Sequence, residues 1–159
     1  FEPDAVYRTP EGYLFHTDAQ GRVERVQGSL QLDSGHDRSP SQQDIVVDRY
    51  GEKGEGVTDP DQGGHWIARM FRGPGEGLNL TPMRESVNNG SWGRMEDDFQ
   101  RHLDAGNHVE VDIAGLYPDP ATSPAHPDRP DFLEVRYWVT DPAGTLIDNG
   151  TLRYDNQRP

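Results

Sequence analysis

The chain contains no cysteine, and only one of its fifteen basic residues, Lys53, is a lysine. Without thiols there is no disulfide framework, no zinc–thiolate centre and no cysteine nucleophile. Long hydrophobic runs are missing too. No stretch approaches the ~20 apolar residues that a membrane-crossing helix needs, so no membrane partner is expected. The opening Phe1-Glu2-Pro3-Asp4 shows neither a basic nor an apolar signal region and no initiator methionine. The expectation is a segment without its own signal peptide, cut from a longer precursor. Positive charge is scarce as well. Acidic residues number 28 against 15 basic ones, a net −13, whereas nucleic-acid binding normally leaves a basic footprint.

What is present is enough for one domain spanning residues 1–159. Five Phe, six Tyr and three Trp supply core material, while 18 Gly and 13 Pro point to many loops. The acidity is uneven. Residues 61–101 hold six acids and five bases, all arginine, whereas residues 1–60 hold twelve and six and residues 102–159 hold ten and four. The middle third is therefore the least hostile to an anionic substrate.

Patterning gives an α+β reading: an antiparallel sheet, one main helix and long loops. Residues 13–16 and 22–26 flank a turn-forming Asp18-Ala19-Gln20-Gly21 and read as a hairpin, with residues 28–32 as a third short strand. Residues 33–44 read as irregular before a brief apolar run at 45–47, and residues 51–64, rich in Gly, as a loop. Residues 65–71 look strand-like, and 78–83 extend again. From about 87 to 105, Trp92, Met95, Phe99 and Leu103 recur at helical spacing, and Gly106 supplies a stop. Val109–Ile113 alternates as a half-buried strand. Residues 132–139 form another, whose partner is either 145–147 or 151–154.

Of six histidines, His16, His36, His102, His108 and His126 show no metal-ligand spacing. His65 differs, because Gly63 and Gly64 allow close backbone approach beside it and an apolar run follows. Around it stand Asp61-Gln62-Gly63-Gly64-His65-Trp66-Ile67-Ala68, Asn79-Leu80-Thr81-Pro82-Met83, Val87-Asn88-Asn89-Gly90-Ser91-Trp92 and Met95-Glu96. This series resembles the DNA/RNA non-specific endonucleases, which belong to the ββα-metal (His-Me finger) nucleases, and in particular their toxin-domain subgroup in secreted bacterial proteins. The likeness is specific over 61–101, weaker over 28–50, and loose over Val109–Ile113.

The resemblance implies a ββα-metal core at about 61–105 that hydrolyses phosphodiesters of DNA, with RNA an open second substrate, using Mg²⁺ or Mn²⁺. It implies His65 as general base, Asn88 as metal ligand, Asn79 as the residue that orders the site, and Glu96 reaching the metal through water. Two departures stand out. Gln62 or Gly63 replaces an Arg before the His, and Gln100 replaces an Arg after the helix Glu, so the cation at the phosphate falls to Arg38 or Arg69. Arg69, Arg72 and Arg84 are the candidate substrate contacts. The context further implies the C-terminal toxin domain of a larger bacterial protein, secreted or delivered into a target cell and neutralised by a cognate immunity protein.

The chemistry agrees with those residue types. A neutral imidazole near pKa 6.5 can take a proton from water at pH 7, and Mg²⁺ accepts a single amide oxygen while keeping several waters. Asn88 and Glu96, eight residues apart, would lie about 12 Å apart along a helix, too far to share one ion directly. Taken singly, Asn88-Asn89-Gly90 is also a helix N-terminus and Glu96-Asp97-Asp98 a solvated face. An acidic β-rich interaction module and an inactive nuclease-like scaffold are the rival readings.

Overall fold

The computed structural model describes residues 1–33, 40–54, 57–75, 77–119, 121 and 126–157. Among these residues eight strands and two α-helices follow in chain order. They are β1 (Val6–Arg8), β2 (Leu14–Thr17), β3 (Val23–Ser29), α1 (Pro40–Tyr50), β4 (Asp61–His65), β5 (Leu80–Arg84), α2 (Gly93–Asp104), β6 (His108–Leu116), β7 (Phe132–Thr140) and β8 (Leu146–Asp155). A π-helical turn, Val87–Trp92, leads directly into α2. The fold is α+β, as the patterning indicates. None of the described helices is long and apolar enough to cross a membrane.

Six strands form one antiparallel sheet in the order β1-β2-β3-β6-β7-β8, and β4 with β5 makes a separate two-stranded ribbon. In the large sheet β3 and β6 are neighbours, with Val26 opposite Ile113. Everything between them, α1, the ribbon and α2, is thus one excursion from the sheet. Val109, Val111 and Ile113 of β6 and Leu133, Val135 and Val139 of β7 turn inward. The apolar stripe that runs from the π turn into α2, Trp92, Met95 and Phe99, closes on them. Trp92 meets Tyr154 edge-on at 5.3 Å between centroids, and Phe99 meets Tyr137 at 5.3 Å. Gly106, at φ 83°, ends the helix by letting its own N–H bond Leu103 O and that of Asn107 bond His102 O.

Several sequence expectations give way. Residues 28–32 are not a third strand: β3 continues to Ser29 and stops, and the third strand of the hairpin region is β1. The stretch read as irregular and then briefly apolar contains α1, where Val46 and Val47 are buried while Ile45 faces outward. The Gly-rich loop ends early, since residues 61–65 pair as β4. Beyond His65 the chain leaves the strand and makes a 3₁₀ turn at Arg69–Phe71. β8 is one long strand that uses both segments offered as partners of β7.

Two ionic clusters hold the layers. On the outer face of the sheet, Asp112 accepts from Arg25 Nε and Nη2 (2.8 and 2.7 Å) and from Arg136 Nη2 (3.0 Å), spanning β3, β6 and β7. The hydrogen bond from Arg25 is the main cause holding the Asp112 carboxyl below its usual range. Deeper, Arg129 in the β6–β7 loop forks onto Asp61, the first residue of β4, at 2.8 and 3.0 Å. Their side chains are 2% and 0% exposed.

Two stability outcomes follow from these clusters. Arg129→Met leaves a buried carboxylate without its cation and should cost about 3–5 kcal/mol, measured by urea unfolding; adding Asp61→Leu should recover part of that loss. Asp112 has a depressed folded-state pKa, so its contribution is complete above the ordinary carboxylate pKa near ~4 and disappears as pH falls through the lowered value. Thermal melts across the acid range should therefore fall less steeply for Asp112→Asn than for the parent chain.

Candidate functional site

Asp, Gln and Gly are poor strand formers, yet Asp61-Gln62-Gly63-Gly64-His65 pairs residue for residue with Arg84 through Leu80. Space explains the composition. A Cβ on Gly63 would lie 2.8 Å from the backbone of Gln43 in α1, and one on Gly64 would lie 2.4 Å from Met83 Sδ. Both faces of the strand are pressed so closely that only hydrogen fits. His65 is the last paired residue, half-buried at the mouth of this packing.

The chain just beyond His65 is clamped. Asn79 is completely buried. Its Oδ1 accepts from Ile67 N–H (2.9 Å), and its Nδ2 donates to Ile67 O (2.8 Å) and Pro74 O (2.9 Å). Its backbone carbonyl also accepts from Trp66 N–H. The Trp66 ring reaches Gly115 of β6, where a Cβ would stand 2.7 Å from it. Asn79 thus acts on the backbone that follows His65, not on anything outside the protein.

Asn88 sits half-buried in the π turn, a widened turn of a kind often found at functional positions. Its Nδ2 donates to Gln62 Oε1 at 2.8 Å. Its Oδ1 lies 3.1 Å from where a Cβ of Gly64 would be. The carboxamide therefore runs along β4, with its nitrogen toward the start of the strand and its oxygen over the residue that precedes His65. Two segments distant in sequence are brought to one place. Further along the helix, Glu96 Oε1 accepts from Trp92 Nε1 at 3.1 Å. Nearby carboxylates make this flank negative: burial first, then Asp98 and Glu96, push the Tyr154 hydroxyl up to about 12.

The candidate cations are placed differently from one another. Arg69 opens the 3₁₀ turn after His65, and its guanidinium folds close against Gly75. Arg72 is exposed, in a left-handed conformation at φ 62°. Arg84 is occupied at the other end of the ribbon, donating to Asp59 (2.7 Å) and to Gln157 O (3.1 Å). Asp59 also accepts from Ser86 N–H and Oγ. Burial raises its pKa, but those bonds and Arg84 outweigh it and leave the carboxyl below its usual range. Arg38 lies outside the described residues.

Three residues with a part in this geometry were not singled out from sequence. Gln62 registered only as a departure from a pattern, and Arg129 not at all. Arg94, exposed in the first turn of α2, leans back toward Gly90, with Nη1 4.0 Å from where a Cβ there would stand. A signal for Arg94 did exist, because it precedes the inward-facing Met95 and so must point out. For Gln62 the departure from the pattern was the signal, and no local signal marks Arg129.

Comparison with known proteins adds a family to the geometry. A family model described as DNA/RNA non-specific endonuclease matches residues 3–128. The type VII secretion system protein EssD of Staphylococcus aureus, in strains USA300 and NCTC 8325, is 33% identical over 144 residues, covering 84% of this chain and 21% of the relative. The chain thus spans about a fifth of the length of these curated relatives. A solved structure titled extracellular endonuclease superposes with a TM-score of 0.57 at 16% identity, covering 97% of this chain and 83% of the other. A second, titled extracellular nuclease, gives 0.54 at 15% identity, covering 97% and 90%. These two likenesses concern the fold.

Gly64→Ala tests the packing around the site. The added methyl would meet the fully buried Met83 and crowd Asn88 Oδ1, so stability should fall by about 1–3 kcal/mol in chemical denaturation. A substitution tolerated without loss would mean that the strand and helix do not approach as closely as described.

Proposed function

The chain belongs to the DNA/RNA non-specific endonucleases, and we propose that it is a metal-dependent hydrolase that cuts the phosphodiester backbone of DNA, with RNA a second substrate, without sequence preference. The observation that carries this reading is the Asn88 carboxamide laid along β4, its nitrogen on Gln62 and its oxygen over Gly64, in the strand that ends at His65.

The donor set suits Mg²⁺ or Mn²⁺ better than a metal held wholly by protein. Among the described residues no three His, Asp or Glu side chains come together as a metal cage. A single well-oriented carboxamide oxygen is the kind of ligand that a water-retaining hard cation accepts. Asn88 would hold the ion, and Glu96, fixed by Trp92, would steady its waters. When bound, the cation supplies positive charge against the charge that gathers at phosphorus and on the leaving oxygen.

The chain's own residues do the rest. An imidazole nitrogen of His65 accepts the proton of the attacking water, a task that the free ring nitrogen of a neutral imidazole can perform. Asn79 and Trp66 hold the backbone after His65 rigid, so the imidazole is presented from a fixed base. Arg69, with Arg72 and Arg94 on the rim, receives the phosphate backbone. Contacts of this kind position a nucleic acid without reading its bases.

The biological setting is part of the same proposal. The chain is the nuclease domain of a longer bacterial toxin, secreted or delivered into a target cell, and its producer is protected by an immunity protein. The support is a relative named as a type VII secretion system protein.

Incubated with supercoiled plasmid and Mg²⁺, the domain should nick and then linearise it, and a chelator should stop the reaction. His65→Ala should lower the rate by about 10²–10⁴-fold, the usual worth of a general base. Plasmid that survives every metal and pH tried would reject the enzyme reading in favour of a scaffold kept for interaction. Equal residual cutting by parent and His65→Ala would reject His65 as the base.

A further inference from the structure

A side-chain carboxamide has two ends of nearly equal size and opposite hydrogen-bonding sense, an oxygen that accepts and an NH₂ that donates. An Asn can hold a cation only if its oxygen faces outward. Left to itself, the group can turn over and present the nitrogen. Ligand orientation of this kind is normally fixed by a neighbour that bonds the other end.

Here that neighbour is Gln62. Its Oε1 accepts from Asn88 Nδ2 at 2.8 Å, a contact between residues 26 apart in sequence. Alternation places Gln62 and Gly64 on the same face of β4, which explains how one carboxamide lies over both. The nitrogen is taken by residue 62, while the oxygen is carried forward over residue 64. The missing Cβ of Gly64 leaves room for that oxygen, since a methyl group there would approach to 3.1 Å. A donor-only side chain at position 62, Lys or Arg, would bond the oxygen instead and turn the ligand away. A carboxylate at 62 can only accept, and so enforces the orientation that Gln62 holds by facing Asn88 with its oxygen.

We propose that Gln62 is a positioning residue for the divalent cation, fixing the Asn88 carboxamide with its oxygen toward the metal. The inference rests on the reading of Asn88 as the ligand and gives Gln62 a role that substrate contact would not.

The test measures Mn²⁺ uptake without nucleic acid, by electron paramagnetic resonance of the free ion. It compares the parent chain with Gln62→Met, Gln62→Glu, Asn88→Ala and the double variant Gln62→Glu/Asn88→Ala, each melted without metal to establish folding. Gln62→Met, similar in size but with no acceptor oxygen, should weaken binding about tenfold or more, the usual effect of losing a ligand's orienting partner. Gln62→Glu should bind at least as tightly as the parent, and both chains lacking Asn88 should lose binding. Parent-like binding by Gln62→Met, with Asn88→Ala still defective, overturns the positioning role and leaves the ligand reading standing. Undiminished binding by Asn88→Ala, or none by the parent, overturns the ligand reading and this inference with it. If Gln62→Met does not fold, Gln62→Glu decides: loss of binding there, or binding that survives in the double variant, overturns the proposal.

Discussion

Two opposite charges, sealed from water, tie the ribbon to the main sheet. Asp61 opens β4 and Arg129 projects from the loop between β6 and β7, and the guanidinium meets the carboxylate with two parallel bonds. Taking both ions out of water is expensive, and the attraction repays it only when geometry and remaining hydrogen bonds are complete. Asp61 meets that condition by also accepting from Glu52 N–H at 2.8 Å. Asn156, equally buried, does for β5 what Arg129 does for β4. Its Nδ2 donates to Pro82 O and Pro130 O, and its Oδ1 accepts from Arg84 N–H. Both strands of the ribbon are therefore fastened to the same few residues beside the sheet. His65 inherits its place from this fastening, four residues along a strand whose beginning cannot slide.

What could be read from sequence depended on whether an element announces itself by period. β6, β7 and α2 do, since Val109, Val111 and Ile113 alternate and Trp92, Met95 and Phe99 keep helical spacing. β4 does not. Its middle residues are glycines because α1 and Met83 crowd it from either side, and a strand selected for lack of bulk looks like a loop. α1 hides for a different reason: Ile45 faces solvent beside buried Val46 and Val47, so no apolar stripe stands out. The candidate site shows the same split. His65, Asn79, Asn88 and Glu96 are legible as a motif, but motif spacing says nothing about Gln62 meeting Asn88, or Arg129 meeting Asp61. Those contacts follow from register and from a loop closure 68 residues long.

The charge balance looks different once the partners are seen. Arg22, Arg25, Arg84, Arg129 and Arg136 each face a carboxylate within the protein. Among the described residues Lys53 and Arg101 also pair, with Asp48 and Asp98, so at least seven of the fifteen basic residues face a carboxylate of the protein itself. The net −13 is carried by a surface whose exposed cations include Arg72 and, beside the π turn, Arg94. A polyanion approaching a protein of this net charge meets a repulsive field overall, so attraction to its exposed arginines is local and sensitive to salt.

The placement of the ribbon and both helices between adjacent β3 and β6 also sets an order of events. Val26 lies beside Ile113, so the large sheet cannot zip shut until the polypeptide past residue 107 has arrived. Contacts this distant are slow to form, because a long loop must close before they repay its entropy. A chain emerging vectorially, from a ribosome or through a narrow pore, would expose an unzipped β3 edge and an unpartnered Asp61 until its last third follows. Maturation of the ribbon and the residues it carries is thereby coupled to completion of the polypeptide.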